Sequence, residues 1–382
     1  MSLKEFLAEW HSASPYVEVH TSGSTGQPKT MLVEKRRMLN SARITNDFLG
    51  LKPGDTALLC MSLDYIAGKM MVVRALERGL KLMSVEPSGH PMRSLELRTE
   101  SDDSLELRTE SDDSLELRTE SLEFPTGLQT GSEQASDPSA DSRAVANSQF
   151  SVLNSQLPPL SFSAMVPMQV YNSLQVPEER ERLRQIRHLI IGGGAIDEAL
   201  EAELKTFPNA VWSTYGMTET LSHIALRRLS GPDASEWYTP FDSVHISLND
   251  DNCLVIDAPA VSPDPIVTND IAELKDQSSV FKILGRRDNT ICSGGIKIQA
   301  EQLERQLRLH LPEPYLVTKR PDPKFGEIVV LLTEGDTVKA RTVCERVLPK
   351  YHQPRAYIHV DRIPLTPTGK PARKEAEHLA RP

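Results

Sequence analysis

Residues 188–220, HLIIGGGAIDEALEAELKTFPNAVWSTYGMTET, carry the pattern on which the fold reading turns. His188 to Ile191 is an apolar run of strand length that stops at Gly192-Gly193-Gly194. Asp197 then caps a helix to Thr206, and Ala210 to Ser213 is a second strand delivering Tyr215-Gly216-Met217-Thr218-Glu219-Thr220. A strand, a glycine turn, a helix, a strand and a polar loop in that order predict a doubly wound α/β sheet, whose ligands lie beyond the carboxyl ends of strands. The Gly192 to Gly194 and Tyr215 to Thr220 segments are placed there.

Upstream, the same alternation continues. Tyr16 to His20 and Thr56 to Met61 read as strands, Arg36 to Leu49 and Gly68 to Arg78 as helices, and Leu80 to Val85 as another strand. Val176 to Arg187 is a charged helix. Between the first strand and a further one from Lys29 to Glu34 lies Thr21-Ser22-Gly23-Ser24-Thr25-Gly26-Gln27-Pro28-Lys29. Its glycines let backbone N–H groups turn into one concavity, its hydroxyls add donors and Lys29 adds positive charge, so it is a candidate polyphosphate cradle. It is not a Walker loop, because Pro28 separates the last glycine from the lysine and no helix follows. On its own the run is equally readable as a flexible loop.

The chain of 382 residues is long enough for two domains, and a net charge of −10 argues against nucleic acid as the main partner. No signal sequence or run of about 18 apolar residues occurs, so a soluble, cytoplasmic protein without a membrane partner is expected. Cys60, Cys253, Cys292 and Cys344 are far apart and lack ligand spacing, which suggests reduced thiols. A ten-residue unit beginning at Ser94, SLELRTESDD, recurs at Ser104 and again, incompletely, at Ser114. Two leucines per acidic unit bury too little to offset ordering entropy, so residues 93–149 read as a disordered acidic insertion. After Leu284 the charged junction Gly285-Arg286-Arg287-Asp288 leads into a small α+β region, with short strands about Ser293-Gly294-Gly295 and a helix from Ala300 to Leu309.

Five short motifs, Thr21 to Lys29, Tyr215 to Thr220, Thr268-Asn269-Asp270, Gly285 to Asp288 and Pro364-Leu365-Thr366-Pro367-Thr368-Gly369-Lys370, stand in the order found in the adenylate-forming enzymes. The chain resembles that superfamily over nearly its whole length. The resemblance implies a large ATP- and acid-binding domain over 1–285, shortened at its N-terminal side, and a small mobile α+β domain over 286–382. It implies ATP, Mg2+ and CoA, a carboxylic acid substrate, and AMP and pyrophosphate as products. By the same resemblance Thr21, Ser22, Gly23, Ser24, Thr25, Gly26 and Lys29 hold phosphates, with Gly193 and Gly194 also on the nucleotide. Tyr215, Gly216 and Met217 meet the adenine side, Thr218 the α-phosphate, Glu219 the metal ion, and Asp270 with Arg286 the ribose. Lys370 is the catalytic lysine of adenylation, Asp288 the hinge, and Ser293, Gly294 and Gly295 the loop that approaches the acyl group and the CoA thiol.

Within the superfamily, Ser163 to Val170 and the compact Tyr-Gly-Met-Thr-Glu-Thr form resemble the 2-succinylbenzoate–CoA ligases of menaquinone biosynthesis. There are departures. Only twenty residues precede Thr21, and a Pro-Leu-aromatic-His-x-x-Gly pattern is replaced by Ser62 to Gly68 with Tyr65 at the His position. Tyr65, Gly68, Lys69 and His223 are the acid-pocket candidates, against which stand a surface lysine and a packed histidine. Another acid, a carrier-protein thiol as acceptor, a non-catalytic nucleotide binder and a homodimer all stay open.

Overall fold

Short aliphatic runs flanked by turn residues form the strands of the computed structural model, which describes residues 1–20, 30–98, 105–106, 159–194, 196–276, 278–366 and 370–381. These fall into two units, one made of Met1–Pro15, Met38–Ser213 and Arg228–Ala234, the other of Tyr16–Arg37, Thr214–Arg227 and Ser235–Pro382. The division therefore does not follow the expected cut at residue 285.

The first unit holds a parallel sheet of β3 (Thr56–Leu59), β4 (Lys81–Ser84), β6 (Phe162–Met165), β7 (His188–Ile191) and the start of β8 (Ala210–Gly216), in the order β8-β7-β6-β3-β4. Phe162 faces Ala57 on one side and His188 on the other, and His188 faces Ala210. Side chains alternate along β7, as the strand repeat of two requires. Leu189 and Ile191 join Leu200 and Leu204 of the helix Glu198–Leu204 in one core, while Ile190 is buried outside that cluster. Asp197 caps this helix as read, accepting from Leu200 N at 2.8 Å. The helix Ile66–Arg78 buries Met70, Met71, Val72, Val73, Ala75 and Leu76, and ends at Gly79 with φ +63°, a left-handed cap that suits glycine.

One expectation moves here. The helix Pro91–Arg98 places Met92 and Leu95 in the core, so the insertion starts no earlier than residue 99. Leu95 belongs to the first copy of the repeat, and the i, i+3 pairing with Met92 gives that copy an anchor its composition does not suggest. The rest of 93–149 lies outside the described residues, except that β5 (Leu105–Glu106) pairs antiparallel with β4. Gln169 lies in the helix Pro167–Leu174. Its Oε1 accepts from Val166 N (3.1 Å), and its Nε2 donates to the carbonyls of Cys60 and Ser88 (2.9 Å each). Gln169 is buried, so it ties three backbone segments together. Gln169→Leu leaves those groups unpaired and is expected to cost about 2–4 kcal/mol, read by urea denaturation; an unchanged midpoint would refute the assignment.

The second unit opens with the antiparallel pair β1 (Tyr16–His20) and β2 (Thr30–Glu34), in which His20 faces Thr30. Residues 21–29, the phosphate-cradle candidates Thr21, Ser22, Gly23, Ser24, Thr25, Gly26 and Lys29, connect the two and lie outside the described residues. β9 (His223–Arg228) pairs with β10 (Thr239–Pro240). An antiparallel meander follows, β11 (His245–Leu248), β12 (Cys253–Asp257), β13 (Ile266–Leu274) and β14 (Phe281–Arg286). The C-terminal sheet has the order β16-β15-β18-β17, from β15 (Thr290–Ser293), β16 (Ile296–Gln299), β17 (Tyr315–Asp322) and β18 (Gly326–Thr333), with β19 (Ala356–His359) parallel to β18. Helices cover both faces. Val329 and Leu331 pack with the helices Ala300–Leu307 and Thr337–Val347, and Ile328, Val330 and Leu332 with Ala376 and Ala380 near the helix Arg373–Leu379.

Candidate active site

β8 runs through Gly216, so Tyr215 and Gly216 stand on a strand end and not in the loop expected from the sequence. At Gly216 an added Cβ would lie 2.2 Å from the Ser222 carbonyl oxygen and 2.5 Å from His223 Cα, which explains the glycine. Beyond it the chain folds back. Thr220 Oγ1 accepts from Met217 N (3.0 Å) and donates to Ser222 O (2.7 Å), and Leu221 N donates to Thr218 O (2.9 Å). Glu219 is thereby left exposed on the turn, with Thr218 half-buried beside it.

The register of β13 against β14 sets Asp270 opposite Arg286. Asp270 Oδ1 accepts from Arg286 Nη1 at 2.9 Å, and its Oδ2 accepts from the Tyr215 hydroxyl at 2.6 Å. Arg286 Nη2 donates to Asp288 Oδ2 at 2.8 Å, which also accepts from Asn269 Nδ2 at 3.3 Å. The Tyr215 ring meets Phe281 edge-on at 5.1 Å and Tyr238 at 5.8 Å. Burial, with the Asp270 charge beside it, raises the Tyr215 phenol above its ordinary pKa, so it is a fixed donor. For Arg286, burial acts to lower the pKa, but the hydrogen bond to Asp288 and the charges of Asp270 and Asp288 outweigh it and hold the guanidinium charged.

Lys370 belongs to the same group. Its backbone is bonded to Thr366, with Lys370 N donating to Thr366 Oγ1 (3.0 Å) and Thr366 N to Lys370 O (2.7 Å). Its ammonium is brought low by burial first and by repulsion from Arg286 second, with Asp270 opposing. Tyr215, Asp270, Arg286, Asp288 and Lys370 thus converge from three distant stretches of sequence. Thr268 completes the support. Its buried hydroxyl accepts from Asp270 N at 3.1 Å, a role the Thr-x-Asp spacing could have suggested. Tyr238 and Phe281 carried no signal beyond their apolar character.

The other candidates are placed separately. Gly193 (φ +81°) and Gly194 are exposed in the turn after β7, in the first unit. Asp288 sits in a one-turn 3-10 helix, Arg287–Asn289, between β14 and β15. Gly294 and Gly295 are the two residues of the β15–β16 hairpin turn, with φ +58° and +83°, next to a buried Ser293; a turn of that hand needs glycine irrespective of any ligand. Tyr65 is exposed before the helix Ile66–Arg78, and Gly68 packs against Ser62, its Cβ position 2.2 Å from that carbonyl oxygen. Lys69 is not the surface lysine allowed by the sequence: it is 2% exposed, 3.8 Å from Glu9 and over the Phe6 ring at 5.6 Å. An amphipathic N-terminal helix, Leu3–Trp10, covers it. His223 is buried against Phe241, as a packed histidine, and belongs to the other unit. Among the described residues no cluster of three His, Cys, Asp or Glu side chains is arranged for a metal. No helix is long and apolar enough to cross a membrane.

No family model matches the chain. An AMP-forming acyl-CoA synthetase/AMP-acid ligase II-like protein from Dyadobacter fermentans is 27% identical, with a TM-score of 0.56 over 98% of this chain and 92% of that one. The chain has the fold of the adenylate-forming enzymes and is similar to them in sequence. O-succinylbenzoate coenzyme A synthetase from Bacillus subtilis, solved with ATP and magnesium, shares the fold with a TM-score of 0.64 at 19% identity, over 94% of this chain and 69% of that one. A 2-succinylbenzoate–CoA ligase from Lactococcus lactis is 26% identical over 210 residues, which are 50% of this chain and 46% of that protein. The chain spans about half the length of the curated relatives that it matches at the top. The chain has a mixed α/β fold of the kind those enzymes share.

Proposed function

We propose that this chain activates a carboxylic acid with ATP and transfers the acyl group to the CoA thiol, with 2-succinylbenzoate as the acid. The observation that carries the reading is the charged group Tyr215–Asp270–Arg286–Lys370. In this reading a substrate carboxylate oxygen attacks the α-phosphorus, the bond to the pyrophosphate oxygen breaks, and pyrophosphate leaves. The thiol sulfur then attacks the acyl carbon, AMP leaves with the carboxylate oxygen, and the thiol proton is released.

The protein positions groups and stabilises charge. Asp270 accepts from the ribose hydroxyls, beside the charged Arg286. The Tyr215 ring, braced by Phe281 and Tyr238, offers a face to the adenine. Lys370 brings a compact charge to the carboxylate and α-phosphate oxygens. Thr218 reaches the α-phosphate, and residues 21–29 with Lys29 face the departing phosphates. One exposed carboxylate, Glu219, fits Mg2+, which is commonly bound through one or two carboxylates plus substrate phosphates. The ion when bound neutralises phosphate charge. Ser293, Gly294 and Gly295 form the thiol-side loop, Asp288 the hinge, and 286–382 the mobile part.

The reading is tested by pyrophosphate release from ATP and Mg2+ with a panel of carboxylic acids, with and without CoA. A preference for 2-succinylbenzoate and formation of its CoA thioester are expected. Release with a different acid alone would remove the substrate, and no release with any acid would remove the activity. The Tyr215 role has its own test. Tyr215→Phe keeps the ring and is expected to leave KM for ATP within about twofold, whereas Tyr215→Ala raises it about tenfold or more, as a lost base stack does. Equal KM values for the two variants would place the adenine elsewhere.

A further inference from the structure

Arg286 and Lys370, the two cations assigned to the site, are 84 residues apart by their numbers. The helix Ala300–Leu307 is joined to both. At its N-terminal end Gln299 Nε2 donates to the Arg286 carbonyl (2.6 Å), and its Oε1 accepts from Thr290 Oγ1 (2.8 Å). The fit is close: a Cβ on Gly285 would come within 2.5 Å of Gln299 Nε2 and 2.7 Å of its Cγ. Asn289 is bonded to Glu301 at the same end.

At the next turn Glu304 takes both arms of the Arg373 guanidinium, Nη1 to Oε1 and Nη2 to Oε2, each at 2.7 Å. Arg373 Nη1 also donates to the Val317 carbonyl (2.8 Å), and Val317 N donates to Glu304 Oε1 (2.9 Å). A forked pair of this kind fixes orientation as well as distance. The pair holds Arg373 charged against the opposing effect of burial. Arg373 lies three residues after Lys370. The backbone between them is held by the Leu365–Pro371 bridge and by Ala372 N donating to Pro364 O (2.9 Å).

We propose that Gln299, Glu304 and Arg373 are positioning residues, and that the helix between them is a strut setting the distance of Lys370 from Arg286. Five residues of helix span roughly 7.5 Å, and a helix changes length little under load. Loosening either end lets Lys370 swing out. The ammonium then gains water and distance from Arg286. The inference rests on the adenylation reading for its kinetic consequence, but not for its electrostatic one.

Arg373→Lys keeps the charge and loses the fork, and Gln299→Met cuts the other end. Both are milder than Arg373→Leu, which strands a buried carboxylate and risks unfolding. In each, adenylation kcat is expected to fall roughly ten- to a hundredfold, as a misplacement of about 1 Å can do, with KM for ATP little changed. In a Lys370→Ala background the same substitutions should lower the residual rate no further. Titration of Lys370 by 13C NMR of labelled lysine, without nucleotide, should show its pKa moving up toward 10.5 in both variants. Equal losses with and without Lys370, or an unmoved Lys370 titration in folded variants, would overturn the strut. If the parent protein adenylates no acid, the titration still decides it.

Discussion

Lys370→Ala is expected to lower the rate of acyl-adenylate formation by about 10²–10³-fold while the protein remains folded. In the proposed reaction this charge stands where negative charge builds on the α-phosphate and the attacking oxygen. Folding should not suffer. Lys370 has its pKa lowered from 10.5, chiefly by burial, so the native state binds the proton less well than the unfolded chain does. The unfolded state therefore holds more protons between the lowered native pKa and 10.5, and stability rises with pH across that window. The cost of the charged form is present at lower pH and is relieved above it. Lys370→Ala should abolish that rise, and it should also remove the alkaline limb of the adenylation profile, where the parent enzyme loses its ammonium below pH 10.5. The checks are single-turnover adenylate formation and thermal unfolding from pH 7 to 11. A variant that adenylates at the parental rate would end the role of this lysine.

Gly216→Ala should both destabilise the protein and disable the site. The new methyl group lands 2.2 Å from a carbonyl oxygen and 2.5 Å from a Cα, and backbone atoms cannot turn aside as a flexible side chain can. Overpacking of this kind costs about 1–3 kcal/mol, and here β8 has to part from the Ser222–His223 segment. Tyr215 sits on the displaced strand end, so its bond to Asp270 is strained with it. The Met217 to Leu221 turn that presents Thr218 and Glu219 moves from the other side. A lower melting temperature by calorimetry and a rise in KM for ATP are expected together. Wild-type melting with full activity would show that the strand end can open at no cost.

The fold class was legible because it rests on local signals. His188 to Ile191 could be read as a strand from four aliphatic-edged residues before three glycines, and Asp197 as a cap from its place before Leu200. Strand ends were less legible. Nothing in Thr214-Tyr215-Gly216 distinguishes the last residues of β8 from a loop, since their extended conformation is set by neighbouring backbone. Lys69 illustrates the limit for charge. A lysine is normally exposed, and its burial depends on Glu9 and the Phe6 ring arriving from a helix sixty residues earlier.

The sequence by itself pointed to the adenylate-forming resemblance, to the α/β class and to Tyr215, Asp270, Arg286 and Lys370 as candidates, because those depend on residue type and order along the chain. Only the tertiary structure decided that the Tyr215 hydroxyl and Arg286 share one carboxylate, and that Gln299 is tied to the Arg286 carbonyl and Arg373 to Glu304. These are contacts between residues up to 69 positions apart, set by strand register and helix length, and neither is written in the spacing of any one motif.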